Sequence, residues 1–254
     1  MGVKGHPILK NQKEIELLRK ANAIVMEILY TLKDRVKPGV STYEFEELAL
    51  ELCHKKGVKP AFKGYRGYPF ALCVSVNEEI VHGMPKKEKI LKEGDIVSFD
   101  FGVIYEGYVG DAALSVGVGK ISEEAEKLLR VTEEALYLAI EKVRIGNRIG
   151  DVSYAIQKKV EEEGFNVIRD FVGHGIGRAL HEPPEVPNYG KPGRGPKIDL
   201  GMVLAIEPMV SAGSYEVKIL EDGWTAVTKD GSLAAHFEHS VAVTPAGPII
   251  LSKI

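Results

Sequence analysis

The sequence predicts an α+β fold made of two similar halves, and three observations carry that reading. Stretches with helical spacing of apolar residues alternate with short runs rich in Val, Ile and Phe. A shift of 107 residues lays Gly39 on Gly146, Gly57 on Gly164, Gly94 on Gly201 and Asp100 on Glu207. No linker or low-complexity tract divides the 254 residues, a length at which one domain is ordinary. We therefore expect residues 1–254 to form a single catalytic domain, with halves of about 10–116 and 117–252.

The first half opens on residues 13–36, where Ile15, Leu18, Val25, Ile28 and Leu32 recur at helical spacing until Lys37-Pro38-Gly39 stops the pattern. A shorter helix is expected over 42–56, then strands over 71–76, 95–103 and 108–117. The segment 104–110 holds two glycines and suits a hairpin turn that sets Asp100 and Asp111 on neighbouring strands. The second half repeats the order, with helices over 122–143 and 149–163 and strands over 202–211, 216–220 and 236–244. Five prolines mark 182–198 as a surface loop. In the last strand His236 and His239 alternate with Glu238, so both are expected to point away from it.

Bulk properties narrow the function classes. A net charge of −3 gives no basis for nucleic-acid binding. Cys53 and Cys73 match no metal-binding spacing, and two free thiols suit a reducing compartment. Residues 1–7 lack an apolar signal core and no run reaches transmembrane length, which makes the cytoplasm the expected location.

The chemistry is concentrated in five residues, Asp100, Asp111, His174, Glu207 and Glu238. Three of the acids sit in apolar runs: Ile96-Val-Ser-Phe-Asp100-Phe, Val203-Leu-Ala-Ile-Glu207-Pro and Ala235-His-Phe-Glu238-His. A carboxylate among aliphatic residues loses hydration worth several kcal/mol and requires a cation or a proton. Four carboxylates match the charge of two divalent cations, and oxygen donors with one imidazole suit Mn, Fe, Co or Zn in a hydrolytic centre. His174 lies in Gly173-His174-Gly175-Ile176-Gly177-Arg178, whose glycines fit no dinucleotide fingerprint but leave room around the imidazole.

These motifs together resemble the type I methionine aminopeptidases, which have the duplicated pita-bread fold. The resemblance spans residues 10–252. It rests on Asn77-Glu-Glu-Ile-Val-His82-Gly, Gly94-Asp-Ile-Val-Ser-Phe-Asp100, Gly110-Asp111, Gly173-His174-Gly-Ile-Gly-Arg, Leu180-His181-Glu, Ile206-Glu207-Pro-Met and Phe237-Glu238-His. It implies that Asp111 and Glu238 bridge two metal ions, that Asp100 chelates one, and that His174 and Glu207 complete the other. A hydroxide activated between the ions would be the nucleophile, with Glu207 managing its proton. His181 would stabilise the oxyanion and His82 would hold the scissile amide. Phe62, Tyr65, Tyr68, Cys73, Leu180 and Trp224 would wall the methionine pocket. Two of these depart from a familiar enterobacterial member, which has cysteine in place of Phe62 and phenylalanine in place of Leu180. The implied substrates are the N-termini of nascent, deformylated polypeptides, met near the ribosome by a monomer. Xaa-Pro peptidases would share the ligands but usually carry a large extra N-terminal domain.

Overall fold

The computed structural model describes residues 5–254; Met1 to Lys4, and with them the reading of the first residues as lacking a signal, lie outside the described residues. Four helices form where the periodicity places them: α1 (Gln12–Lys33), α2 (Thr42–Lys56), α3 (Glu123–Ile140) and α4 (Ile149–Glu162). Asn11 begins α1 with a capping box, its side chain accepting from the Lys13 and Glu14 amides while Glu14 reaches back to the Asn11 amide. Helix α2 ends on Gly57 in the left-handed conformation, where glycine carries no Cβ penalty.

Of four antiparallel sheets among the described residues, the two largest lie against these helices. In the first, Ile96–Tyr105 is the central strand, pairing with Lys59–Pro60, Leu72–Val76 and Tyr108–Gly117. The expected hairpin is a two-residue turn at Glu106 (φ 48) and Gly107 (φ 80), positive at both positions as such turns require. The second sheet runs Gly247–Ile250, His239–Thr244, Val203–Ile206, Val172–Gly175, Glu182–Pro187. The two sheets meet where Ala113 and Glu238 exchange backbone hydrogen bonds, so residues from both halves converge there. Under the 107-residue shift, Gly39 and Gly146 have φ of 92 and 96, Gly57 and Gly164 66 and 85, and Gly94 and Gly201 93 and 83.

The structure corrects the sequence reading in three places. The expected loop 182–198 begins as a strand, Glu182–Pro187, at the outer edge of its sheet, where prolines that cannot donate are tolerated. The strand expected over 202–211 is split into Val203–Ile206 and Met209–Ser211 around Glu207-Pro208, because Pro208 has no amide for the ladder. The strand expected over 236–244 is likewise split, with Ala234–His236 ending before Glu238 and His239–Thr244 starting after it. Residues two apart in a strand share a face, so alternation itself sets His236 on the side of Glu238 and not away from it.

One contact ties the core to the site. A Cβ on Gly110 would lie 2.5 Å from the Ala21 carbonyl carbon and 2.6 Å from the Asn22 nitrogen, both backbone atoms of α1. The bare glycine lets α1 approach closely enough for Asn22 Oδ1 to accept from the Asp111 amide at 3.2 Å. Gly110→Ala is expected to destabilise the fold by about 3 kcal/mol through overpacking, read as a lowered Tm. A Tm within a degree of wild type would mean that α1 yields without cost.

Candidate metal and peptide site

Asp100 and Asp111 reach the same face of the first sheet, since the register sets Asp100 opposite Ala113 and Gly102 opposite Asp111. His174 comes from the Val172–Gly175 strand, Glu207 follows Val203–Ile206, and Glu238 sits at the junction of the sheets. All five line one cavity of about 440 Å³. Donor atoms of Asp111, His174 and Glu238 lie within 4.8 Å of one another. His174 Nε2 is 3.7 Å from Asp111 Oδ2 and 3.6 Å from Glu207 Oε1.

The electrostatics of this cluster are costly without a cation. Burial pushes the carboxyls of Asp111 and Glu238 well above the usual carboxylate range, and the neighbouring acids push them further. Asp100 and Glu207 are each raised to about 7, again chiefly by burial. Asp100 Oδ1, Asp111 Oδ1 and Glu238 Oε1 are buried with no hydrogen-bond partner among the described residues. Buried carboxylate oxygens left without donors are the signature expected of a cation site, and the donor set fits hard divalent ions. His174 Nδ1 lies 2.9 Å from the Gly175 carbonyl, which can only accept. Nδ1 therefore donates to that carbonyl, leaving Nε2 to face the acids.

The remaining predicted residues lie on the same cavity. Phe62, Tyr65, Tyr68, Cys73, Leu180 and Trp224 line it together with His82 and His181. Tyr68 is edge-on to Trp224 at 5.2 Å, and its hydroxyl donates to the Leu72 and Gly83 carbonyls. His82 stands at φ 59, a conformation rare for a residue with a side chain, with its ring edge-on to Phe171. Burial lowers His82 to about 4 and His181 to about 3, so both imidazoles are neutral near pH 7.

His236 is the residue the sequence misplaced. It is buried, its Nε2 lies 3.6 Å from Glu207 Oε2, and that nitrogen has no hydrogen-bond partner among the described residues. It faces the acids and not away from them. His239 does turn aside, pairing with Ser252 Oγ at 2.8 Å and Tyr137. Phe171, Asp170 and Met209 also line the cavity and were not singled out from the sequence. Met209 had a signal, lying two residues beyond Glu207; Phe171 had none.

The fold and this cluster of acids and imidazole define a metallopeptidase. Residues 16–245 match the model of metallopeptidase family M24, and the chain belongs to that family. It is 57% identical to the methionine aminopeptidase of Clostridium perfringens over 97% of this chain and 99% of the relative. It is 53% identical to that of Aquifex aeolicus, over 97% and 98%. A crystal structure of the Thermotoga maritima methionine aminopeptidase superposes with a TM-score of 0.96 at 53% identity, covering 98% of this chain and all of that one. Within the family, then, the chain belongs with the methionine aminopeptidases, and its fold is the pita-bread fold. A prolidase from Pyrococcus furiosus shares the fold at TM-score 0.80 and 22% identity, with 66% of its chain covered.

Proposed function

We propose that this enzyme removes the N-terminal methionine from nascent, deformylated polypeptides whose second residue is small. The observation that carries the proposal is the meeting of four carboxylates, those of Asp111 and Glu238 buried, and His174 with an aromatic-walled pocket in one cavity. Asp100, Asp111, His174, Glu207 and Glu238 would hold two divalent ions, of Co, Mn, Fe or Zn. When bound, such ions supply a water of lowered pKa and polarise the scissile carbonyl.

The protein's own groups divide the remaining work. Phe62, Tyr68, Cys73, Leu180 and Trp224 enclose the thioether, for which aromatic edges are favourable neighbours. The free α-amine would lie near the ion held by Asp100, which restricts action to chain termini. Neutral His181 donates to the carbonyl oxygen as charge develops there. His82, held between Phe171 and Trp224, contacts the scissile amide nitrogen. Glu207 takes a proton on a carboxylate oxygen and returns it to the departing amine. The duplicated halves form one domain in this reading, with a ligand from each half at equivalent positions, Asp100 and Glu207.

No helix among the described residues is long and apolar enough to cross a membrane, which is compatible with a cytoplasmic monomer meeting its substrates near the ribosome. The test is methionine release from Met-Ala-Ser by chelated protein reloaded with Mn, Fe, Co or Zn, with bound metal counted. Activity should appear with at least one ion as the second equivalent binds. Failure with every ion would sink the reading. His181→Ala should lower kcat by roughly 10²-fold with KM and metal content little changed. A parallel loss of metal would give His181 a different role.

A further inference from the structure

Two imidazoles stand side by side in the cavity, with ring centroids of His174 and His181 4.3 Å apart. Their chemistry must differ, because one has to offer a lone pair and the other a proton. The Gly175 carbonyl settles His174. For His181 the corresponding atom is the Tyr65 hydroxyl, 2.8 Å from Nδ1, with the two rings stacked at 5.2 Å and 29°. A carbonyl can only accept, whereas a phenol can also donate. The Tyr65 hydroxyl makes no other hydrogen bond among the described residues, so Nδ1 is its one protein acceptor there. A phenol is a better donor to an imidazole nitrogen than a poorly basic phenol oxygen is an acceptor.

Both partners are held firmly. Tyr65 sits in a tight turn with Gly64, Arg66 and Gly67 at φ of 84, 51 and 92. That turn is closed by hydrogen bonds from the Gly64 amide to the Tyr68 carbonyl and from the Tyr65 amide to the Phe62 carbonyl. On the other side, Glu182 follows His181 and accepts from the Ala179 amide and from buried Lys10 at 2.6 Å. The hydroxyl and the ring are thus presented to each other by rigid backbone, which favours one arrangement over several.

We propose that Tyr65 is a positioning residue whose hydroxyl donates to His181 Nδ1 and fixes that imidazole with its proton on Nε2, ready to be given to the peptide carbonyl. Tyr65 then does more than wall the pocket. This assignment rests on the peptide-cleaving role given to His181 above, but the tautomer itself belongs to the resting protein.

The experiment is two-part. In metal-free protein labelled with ¹⁵N-histidine, long-range ¹H–¹⁵N correlation should show His181 protonated at Nε2 and bare at Nδ1. Tyr65→Phe should move it to a mixture of tautomers. In the metal-loaded enzyme Tyr65→Phe should lower kcat about fivefold, the worth of one ordinary hydrogen bond, with KM nearly unchanged. In a His181→Ala background the same substitution should cost nothing further. An unchanged His181 spectrum in Tyr65→Phe, or an equal loss in both backgrounds, overturns the proposal. If no methionyl peptide is cleaved at all, the functional reading falls and the spectrum still decides the tautomer.

Discussion

Asp111→Asn and Glu238→Gln are each expected to bring methionine release below detection, and yet to make the metal-free protein more resistant to heat at pH 8. Both effects have one cause. The cluster gathers four carboxylates, three of them with a buried oxygen that lacks a donor, and once the acids ionise only bound cations offset their mutual repulsion. Removing one charge deprives the ions of a ligand shared by the cluster. Without ions, the same change relieves a buried acid that must otherwise stay protonated or be ionised among like charges. The sign with pH follows from the direction of the shifts. Folded-state pKa values raised above the unfolded ones mean that stability is fully present below the ordinary carboxylate range. It is lost as pH rises toward and through the raised values, about 7 for Asp100 and Glu207. The advantage of either variant should therefore be small at pH 4 and large at pH 8. Thermal scans of chelated protein at both values measure it, and Mn added at pH 8 should reverse the order. Chelated variants that melt below wild type at pH 8 would contradict the electrostatic account.

What the sequence disclosed and what it hid follow from the range of the physics involved. Helix α2 spans the residues its periodicity marks, and the Tyr108–Gly117 strand matches its apolar run, because local spacing alone specifies them. Asp100, Glu207 and Glu238 stood out in the sequence because a charged side chain in an apolar run is anomalous whatever surrounds it, and they line one cavity with Asp111 and His174. His236 was misread, since residues two apart in a strand share a face and it stands with the acids. What local spacing did hide is the chain break between Ala234–His236 and His239–Thr244. That break serves a contact 125 residues away, the backbone pairing of Glu238 with Ala113. The strand Glu182–Pro187 was hidden for a related reason: prolines oppose a central strand, and only tertiary position made this one an edge. The link between Tyr65 and His181, 116 residues apart, had no local signal either.

Discrimination between substrates should be as large as the loss from the carboxylate variants. Met-Gly and Met-Ala peptides are expected to be cleaved, and Met-Lys, Met-Phe and N-formyl-Met peptides to react roughly 10³-fold more slowly or not at all. A methionine side chain seated among Phe62, Tyr68, Cys73, Leu180 and Trp224 leaves its carbonyl beside His181 and its amine beside the acids. The second residue then meets the rim formed by His82 and Phe171, packed ring edge to ring face at 5.3 Å and 87°. His82 has little freedom to retreat, since its backbone is already at φ 59 between Val81 and a close-packed Gly83, whose Cβ position lies 2.4 Å from the Val74 carbonyl. Under the proposed function, small second residues would pass this rim and long ones would collide with it. Formylation turns the free amine into an amide with no basic lone pair for the ion near Asp100, and a site built around a polar group rejects the analogue lacking it by large factors. A synthetic peptide of the chain's own first residues, Met1-Gly2-Val3, belongs to the cleaved set. The measurement is kcat/KM for each peptide with one metal loading throughout. Comparable values for Met-Gly and Met-Lys would show that the rim is mobile, and efficient release from the formylated peptide would remove the amine from the recognition scheme.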